Sequence, residues 1–394
     1  MEATEQAPTR GRRRRRLLLF ALVVLVMAAA WAAWWHLHGQ YRERTENAQV
    51  AGNQLTVMPQ VTRTVTAIQA DDTDRVRRGD LLVQLDDADA RLAVATAEAA
   101  LADAAREVTT LVADRERAEA AVGLAQAQLD RALADLQRRR GLVVRRSISA
   151  EELNHAELDA NTACMAVRLA RRQLAVAQAS LGSGPLREHP RVLQAATRLR
   201  EAYLQLARCR ILAPADGQVA QRRVQVGQQV SPSSRLLDIV PLDAVWVEVN
   251  FKEGQLANLR LGQPVDMTSD LYGDRFAFSG RVSGIGAGTG SVFSLLPPPQ
   301  NATGNWIKIV QRVPVRVAID RDSLEGRPLP LGASVEAVVD TRSRDGELVT
   351  GAPAPADGRY ATAVYAERLA AIEASVAQRV QAAFVAVGQD RAAE

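Results

Sequence analysis

The residues that could carry chemistry are few and lie far apart in the sequence. The chain of 394 residues has four histidines, and they lack the spacing that metal ligands require. They are His36, His38, His155 and His189. Three carboxylates, Asp86, Asp87 and Asp89, come directly before a helical pattern, where the positive end of a helix dipole explains them without catalysis. The sequence therefore predicts neither a metal site nor an acid–base pair.

A glycine-rich run at 286–290 is the other candidate for chemistry, because backbone N–H groups in such a run can cradle a phosphate. The run lacks the strand-to-helix context and the downstream lysine that phosphate binding needs. Cys164 and Cys209 are separated by predicted helix, which holds them too far apart for a disulfide. We therefore expect two structural thiols, no cofactor and no enzyme activity.

The charge and the composition of the chain argue against a nucleic-acid-binding protein and against one thick globular core. The chain has 49 basic and 45 acidic residues, a net charge of +4, and this excess lies within positions 1–16. The remainder is balanced, so no basic face for nucleic acid is predicted. Aromatic residues make up 4% of the chain while alanine is abundant, which favours long, thin helices over one thick globular core.

An apolar segment near the N-terminus predicts a membrane anchor. Residues 17–35 are all apolar and no charged residue follows until Arg42, which matches the roughly 20 residues that a helix needs to cross a membrane. We expect an uncleaved anchor over 17–38, with a cleaved signal peptide as the alternative. Five consecutive arginines precede it, so the positive-inside rule places the basic tail, 1–16, in the cytoplasm and the bulk of the chain across the membrane. One span cannot form a transport channel alone.

Two segments share one strand-and-turn pattern. Apolar residues alternate over 50–86, with a turn at Gly79, and the pattern returns over 210–242, with a turn at Gly227. Each segment has too few strands to bury an apolar face, so we expect the halves to pair into one β-sandwich. Paired halves of this kind resemble lipoyl and biotinyl carrier domains, which bear their cofactor on a lysine between the halves. No lysine precedes Lys252, so that carrier function is excluded.

The segment between the halves, 87–209, has the pattern of a helical hairpin. Apolar residues recur every seven positions over 101–136 and again over 153–181, with alanines at most of the interleaved positions. Only Arg115 breaks this seam. We expect an antiparallel hairpin about 80 Å long at ~1.5 Å per residue, with its tip at about 138–150. The alternative is a coiled coil that only dimerises.

The remaining segments predict a barrel and a tail. Residues 243–342 carry five or six strand patterns separated by glycines, which favours a small β-barrel. An irregular loop interrupts them at 284–305, and its apolar run at 292–296 is either a lid on the barrel or a contact surface for a partner. Residues 343–394 predict a linker and an amphipathic helix, which we expect to pack beside the barrel or on the membrane surface. The fold class is thus α+β and multidomain.

Four short runs in this order of parts point to a family. They are Val-Ala-Gly-Asn-Gln at 50–54, Asn-Phe-Lys-Glu at 250–253, Gly-Thr-Gly-Ser at 288–291 and Asn-Ala-Thr-Gly-Asn-Trp-Ile-Lys at 301–308. With the anchor, the split lipoyl-like sandwich, the hairpin and the barrel, the chain resembles the HlyD-type membrane fusion proteins, also called periplasmic adaptor subunits, and within them the EmrA-like branch.

The resemblance implies a function and partners. We expect a single-pass inner-membrane protein, homo-oligomeric, that links a major-facilitator multidrug transporter to a TolC-like outer-membrane channel for efflux of toxic hydrophobic compounds. One alternative is an adaptor of an ABC-type protein or peptide exporter, and another is an envelope tether without a transport role. Neither a cofactor, nor a metal, nor a nucleic acid is implied.

The resemblance also implies which residues dock the channel. Adaptors of this superfamily often carry at the hairpin tip an Arg, a Leu four residues later and a Ser seven further on, and Arg138, Leu142 and Ser149 take that spacing. Ser149 has an alternative role as the cap of the return helix, because Glu152 completes a capping box. A second expected site, in contact with the pump or the substrate, is the barrel loop. Its residues are Gly290, Ser291, Phe293, Leu295, Leu296 and Trp306.

Overall fold

The structure is a computed structural model that describes most of the chain. The described residues are 10–34, 41–144, 149–273, 275–290, 292, 310–324, 326–348 and 360–393. The helices are α1 (Arg10–Trp34), α2 (Ala88–Val144), α3 (Ala150–Leu181), α4 (Pro190–Arg208), α5 (Arg321–Leu324) and α6 (Val364–Ala393). The strands are β1 (Arg42–Ala51), β2 (Leu55–Val57), β3 (Arg63–Ile68), β4 (Arg75–Val76), β5 (Leu81–Leu85), β6 (Arg210–Leu212), β7 (Gly217–Arg222), β8 (Gln229–Val230), β9 (Leu237–Val240), β10 (Trp246–Lys252), β11 (Pro264–Ser269), β12 (Ala277–Ile285), β13 (Arg312–Ile319) and β14 (Ser334–Asp340).

Helix α1 covers most of the apolar N-terminal segment. Its side chains are described over 17–31 and all of them are exposed. Within the described part of the chain, the helices fall short of the combined length and apolarity that crossing a membrane requires. The predicted tail begins, and the predicted anchor over 17–38 ends, outside the described residues, so the anchor stays a prediction.

Six antiparallel strands close a barrel in the order β1-β10-β13-β12-β11-β14. Successive side chains of a strand point to opposite faces, so every second residue of β10 enters the barrel. Val247, Val249 and Phe251 accordingly have no exposed surface. They pack in one cluster with inward residues of the other strands, which makes this core independent of the hairpin.

The first strand of the barrel corrects a predicted boundary. β1 lies between β10 and β14, with Val50 opposite Val247 and Arg42 opposite Asp340. The predicted barrel, 243–342, omits this strand, and the predicted first half of the sandwich, 50–86, includes its last two residues. The pattern gave no signal because only Ala48 and Val50 among its residues are buried apolar side chains.

The two halves pair into one sandwich. One sheet has the order β2-β9-β7-β4 and the other β6-β5-β3-β8, so each sheet takes two strands from either half. Five large side chains without exposed surface form the centre. They are Leu82, Leu85, Leu236, Leu237 and Ile239. Gly79 and Gly227 hold equivalent turns at φ of +90° and +84°, which glycine adopts without steric cost.

The predicted hairpin is confirmed. α2 has 57 residues, a length of about 85 Å at ~1.5 Å per residue, and α3 and α4 return along it in two pieces. Gly182, at φ +74°, ends α3, and Pro190 is the first residue of α4. The predicted seam faces the partner helix. Its buried members include Leu101, Val108, Leu136, Ala160 and Val167.

The last helix corrects another expectation. Ile372 and Val376 of α6 share one apolar cluster with Leu101, Val108 and Leu199 of the hairpin. α6 therefore packs on α2 and α4 at the root of the hairpin, not beside the barrel or on a membrane surface. The prediction was wrong because an amphipathic stripe shows that one face is covered but not what covers it.

Candidate functional site

The hairpin tip consists of the last turns of α2 and the first turns of α3. Two arginines of α2 cross to α3: Arg139 donates to the Glu152 carbonyl oxygen at 3.2 Å, and Arg140 pairs with the Glu157 carboxylate at 3.0 Å. Exposed pairs such as these contribute little to stability singly. They do fix the end of α2 beside the start of α3.

Arg138 contacts its own helix instead. It pairs with Asp135, and 73% of its side-chain surface is exposed. Asp135 also pairs with Arg139 at 2.8 Å, so one carboxylate is shared by two guanidinium groups. Leu142, one turn later on α2, is half-buried. This part of the tip therefore combines excess positive charge with an apolar side chain.

Ser149 has the capping role that the sequence left open. The Glu152 N–H donates to its Oγ at 3.1 Å, and its own N–H donates to the Glu152 carboxylate at 3.1 Å. Ser149 thus begins α3 with a complete capping box. Arg138, Leu142 and Ser149 lie at the same end of the hairpin, and 145–148 between them lie outside the described residues. A docking role for the three stays a prediction.

The second predicted site is the loop between β12 and β13. At its start the Gly286 N–H donates to the Pro314 oxygen at 2.8 Å and the Gly290 N–H to the Arg312 oxygen at 3.3 Å. The loop therefore leaves the barrel along β13. Of its predicted contact residues only Gly290 is described. Ser291, Phe293, Leu295, Leu296 and Trp306 lie outside the described residues.

Helix α3 carries a second apolar row, which was not predicted. Four large side chains, here called the outer stripe, are 55–67% exposed. They are Leu158, Met165, Leu169 and Val176. Their spacing of seven, four and seven is the spacing of one helix face, and it was a usable signal in the sequence. The seam to α2 uses other positions, so this row is free to contact a second protein surface.

Two ionisable groups of the sandwich and the hairpin base have shifted pKa values. A hydrogen bond from Arg222 lowers the pKa of Asp71 in the sandwich. Burial raises the pKa of the Cys209 thiol at the end of α4, which keeps this cysteine protonated and unreactive near neutral pH. Across the part of the chain that the structure describes, no three His, Cys, Asp or Glu side chains converge to hold a metal ion. A role of the tip, the loop root and the outer stripe in binding other proteins stays a prediction.

Comparison with known proteins decides the family. The family model described as "EMRA, alpha-helical hairpin domain" matches residues 88–209, which run from α2 through α4. Multidrug export protein EmrA of Escherichia coli K12 is 44% identical over 316 residues, 80% of this chain and 81% of that protein. The chain belongs to the EmrA family of membrane fusion proteins. The resemblance seen in the sequence is thereby confirmed.

Other EmrA-like proteins match over a similar extent. Fatty acid resistance protein FarA of Neisseria gonorrhoeae is 47% identical over 313 residues, 79% of each chain. The solved structure described as "Structure of the periplasmic adaptor protein EmrA" is 18% identical, covers 76% of this chain and 98% of that one, and superposes with a TM-score of 0.39. The long hairpin and the closed barrel of the EmrA-like chain agree with the fold class predicted from its sequence.

Proposed function

We propose that the chain is a periplasmic adaptor that joins an inner-membrane major-facilitator multidrug transporter to a TolC-like outer-membrane channel, through which toxic hydrophobic compounds leave the cell. One observation carries the proposal. The sequence of the chain is 44% identical to a multidrug export protein and 47% identical to a fatty acid resistance protein. The geometry supports it, because a hairpin about 85 Å long suits a protein that spans a gap between two partners.

The order of the domains assigns each partner an end. β1 begins at Arg42, directly after the predicted anchor. This order supports a proposed arrangement in which the barrel is nearest the inner membrane and the hairpin tip is distal. In the proposal, α1 anchors the chain with its N-terminus in the cytoplasm. The barrel loop from Gly290 to Trp306 faces the pump or its substrate, and the charged tip meets the channel.

The outer stripe supports the homo-oligomeric part of the proposal. An exposed apolar row on a helix that already has a buried seam is typical of helices that pack on both sides. In a ring of adaptors related by an axis along the hairpins, each stripe would meet the hairpin of the next copy. A closed ring would enclose a duct between pump and channel, which one hairpin alone cannot do.

The first test is to recover the partners. The tagged full chain is lightly cross-linked in its native membranes, solubilised gently and purified, and the proteins that accompany it are identified by mass spectrometry. We expect a major-facilitator transporter together with a TolC-like channel. Recovery of an ABC exporter would support the adaptor role but replace the major-facilitator transporter as the inner-membrane partner. Recovery of neither partner contradicts the proposal and favours the tether.

A second test addresses the barrel loop. Phe293→Asp places a charge in the apolar run, so we expect the pump to be uncoupled and resistance to fall while the protein level is unchanged. Leu271→Asp is the matched control, because Leu271 is an exposed apolar residue of the barrel outside the loop. Equal resistance in the two variants contradicts a contact role for the loop.

A further inference from the structure

The C-terminal segment 360–386 contacts the barrel, the sandwich and the hairpin, and no role is assigned to it by the proposed function. Its helix, α6, turns a row of apolar side chains toward the rest of the protein. Val364, Ile372 and Val376 are at most 8% exposed, and Val380 and Phe384 continue the row at partial burial. Each step of four residues advances about 40° around a helix of 3.6 residues per turn, so the row winds gradually around α6 as the helix runs along the hairpin.

Charged contacts fix α6 on both hairpin helices. The Glu98 carboxylate on α2 accepts a hydrogen bond from the Tyr203 hydroxyl of α4 at 2.8 Å and pairs with Arg379 of α6 at 3.1 Å. One carboxylate therefore joins three helices at a single level. The apolar cluster of α6 extends along α2 to Leu101 and Val108, beyond this level, so α6 is held at more than one height on the hairpin.

Arg368 joins α6 to the end of α4 at Ala207 and to the start of β6 at Arg210. Its guanidinium donates to the carbonyl oxygens of Ala207 and Arg210 at 3.0 and 3.1 Å. The last carbonyls of a helix have no partner within the helix and carry partial negative charge, so a cation there is stabilising. The side chain is half-buried, and burial lowers its pKa.

The same segment reaches the sandwich and the barrel. The Thr362 hydroxyl donates to the Pro214 oxygen at 2.7 Å, and Glu367 pairs with Arg78 at 3.4 Å. Arg316 of the barrel donates to the Tyr360 hydroxyl at 3.2 Å and stacks on Trp246 at 3.8 Å. About twenty consecutive residues thus touch barrel, sandwich and hairpin.

Apart from α6, the attachment of the hairpin to the sandwich is concentrated at the hairpin base, where two chain connections lie side by side and Ala90, Leu206 and Cys209 pack on the sandwich core. β5 leads into α2, and α4 leads into β6, which pairs with β5. Two adjacent attachment points leave a long lever free to rock about them. We propose that segment 360–386 is a brace that fixes the angle of the hairpin relative to the sandwich and barrel, and that it stays in place while the protein works.

The test releases the brace in the full chain, reconstituted in nanodiscs. Ile372→Asp with Val376→Asp puts two charges into the buried face of α6, and Ala374→Asp with Ala377→Asp puts two charges on its exposed face as the matched control. Spin labels at Glu119 and Arg281, with Cys164 and Cys209 replaced and an excess of unlabelled chain present, report the distance between hairpin and barrel. We expect the distance distribution to widen at least twofold on release and to stay unchanged in the control.

A cross-link tests whether the brace stays closed. Glu98→Cys with Arg379→Cys, joined by a short bismaleimide, locks α6 on α2, and we expect export to continue. Unchanged distance widths after release, or loss of export after locking, overturns the proposal. The distance measurement needs neither pump nor channel, so its result is separate from that of the proposed function. Thermal unfolding of the released variant checks that sandwich and barrel still melt cooperatively.

Discussion

Arg115 is the residue that interrupts the apolar seam of α2, and its Nε is buried without a hydrogen-bond partner among the described residues. An unsatisfied buried donor costs roughly 1–3 kcal/mol. We expect Arg115→Leu to raise the free energy of unfolding by about 1 kcal/mol, since it removes the donor and restores an apolar seam position. Denaturant unfolding followed by circular dichroism measures this.

The control for Arg115 is Arg117→Leu on the same helix. Arg117 has 79% of its side-chain surface exposed, so its replacement by Leu removes no buried donor. The explanation fails if the two variants are equally stable. It also fails if Arg115→Leu is less stable than the unchanged chain.

The proposed docking of the tip depends on Arg138 and Leu142. We expect Arg138→Ala with Leu142→Ala to weaken channel binding by about tenfold or more, as loss of a charged and an apolar anchor does at an interface. Resistance should fall while the protein level and the pump interaction are kept. Arg131→Ala, an exposed arginine of α2 away from the tip, should change nothing. Equal resistance in both variants would remove these residues from the docking surface.

Ser149 needs a substitution that separates its two roles. Ser149→Ala removes the cap of α3 and costs about 1 kcal/mol, so lost export in that variant has two explanations. Ser149→Asp keeps an acceptor for the Glu152 N–H. We expect Ser149→Asp to unfold at the same denaturant concentration as the unchanged chain. Lost export at unchanged stability then indicates docking, and full export indicates that Ser149 only caps.

The outer stripe of α3 predicts that copies of this chain associate with one another. Leu169 is 62% exposed, so Leu169→Asp should leave folding unchanged and weaken the contact between copies. Mass photometry of the full chain should then show a shift from the oligomer to smaller species. Ala175→Asp, an exposed position about 100° around α3 from the stripe, is the control for added charge. An unchanged mass distribution for Leu169→Asp rules the stripe out as the interface.

The elements differ in how well the sequence predicts them, for physical reasons. The hairpin follows from the heptads because seam contacts recur locally, every seven residues, along two helices. The sequence does not identify β1 as a barrel strand, because its partners are the distant strands β10 and β14 and most of its own side chains are polar. α6 is visible as a helix, but its position on the hairpin depends on tertiary contacts that periodicity does not contain.

The candidate site was predictable to the same uneven degree. The capping box of Ser149 and Glu152 could be recognised because its geometry is local. The pairing of Arg139 and Arg140 across the hairpin depends on the register between α2 and α3, which the heptads alone leave open. The outer stripe is visible in the sequence as a second apolar repeat on α3. It is easily overlooked because the heptad repeat of the seam on the same helix is stronger.

The length of the hairpin can be varied to test whether the protein must span a fixed distance between its partners. Deleting 123–129 and 164–170 removes one heptad from each helix, keeps the seam in register and shortens the hairpin by about 10 Å. We expect this variant to fold and to lose export, because the tip no longer reaches its partner. Drug susceptibility and pump co-purification are the measurements.

A variant with the hairpin length restored distinguishes a requirement for length from a requirement for the deleted side chains. Duplicating 130–136 and 157–163 in the shortened chain returns the original number of turns with different residues. Export should return. If it does not, the deleted side chains themselves are required and distance is not the reason for the loss.

The position of β1 also has a consequence for how the protein is made. Arg42 pairs with Asp340, at the far end of the sequence, and the other neighbour of β1, β10, begins at Trp246. During synthesis β1 has no partner until β10 follows, and its other edge stays unpaired until β14 follows at Ser334; unpaired edges invite wrong pairing. The sandwich has all its strands by Val240 and can be finished first. The barrel, whose first strand precedes every strand of the sandwich in the chain, therefore closes after the sandwich.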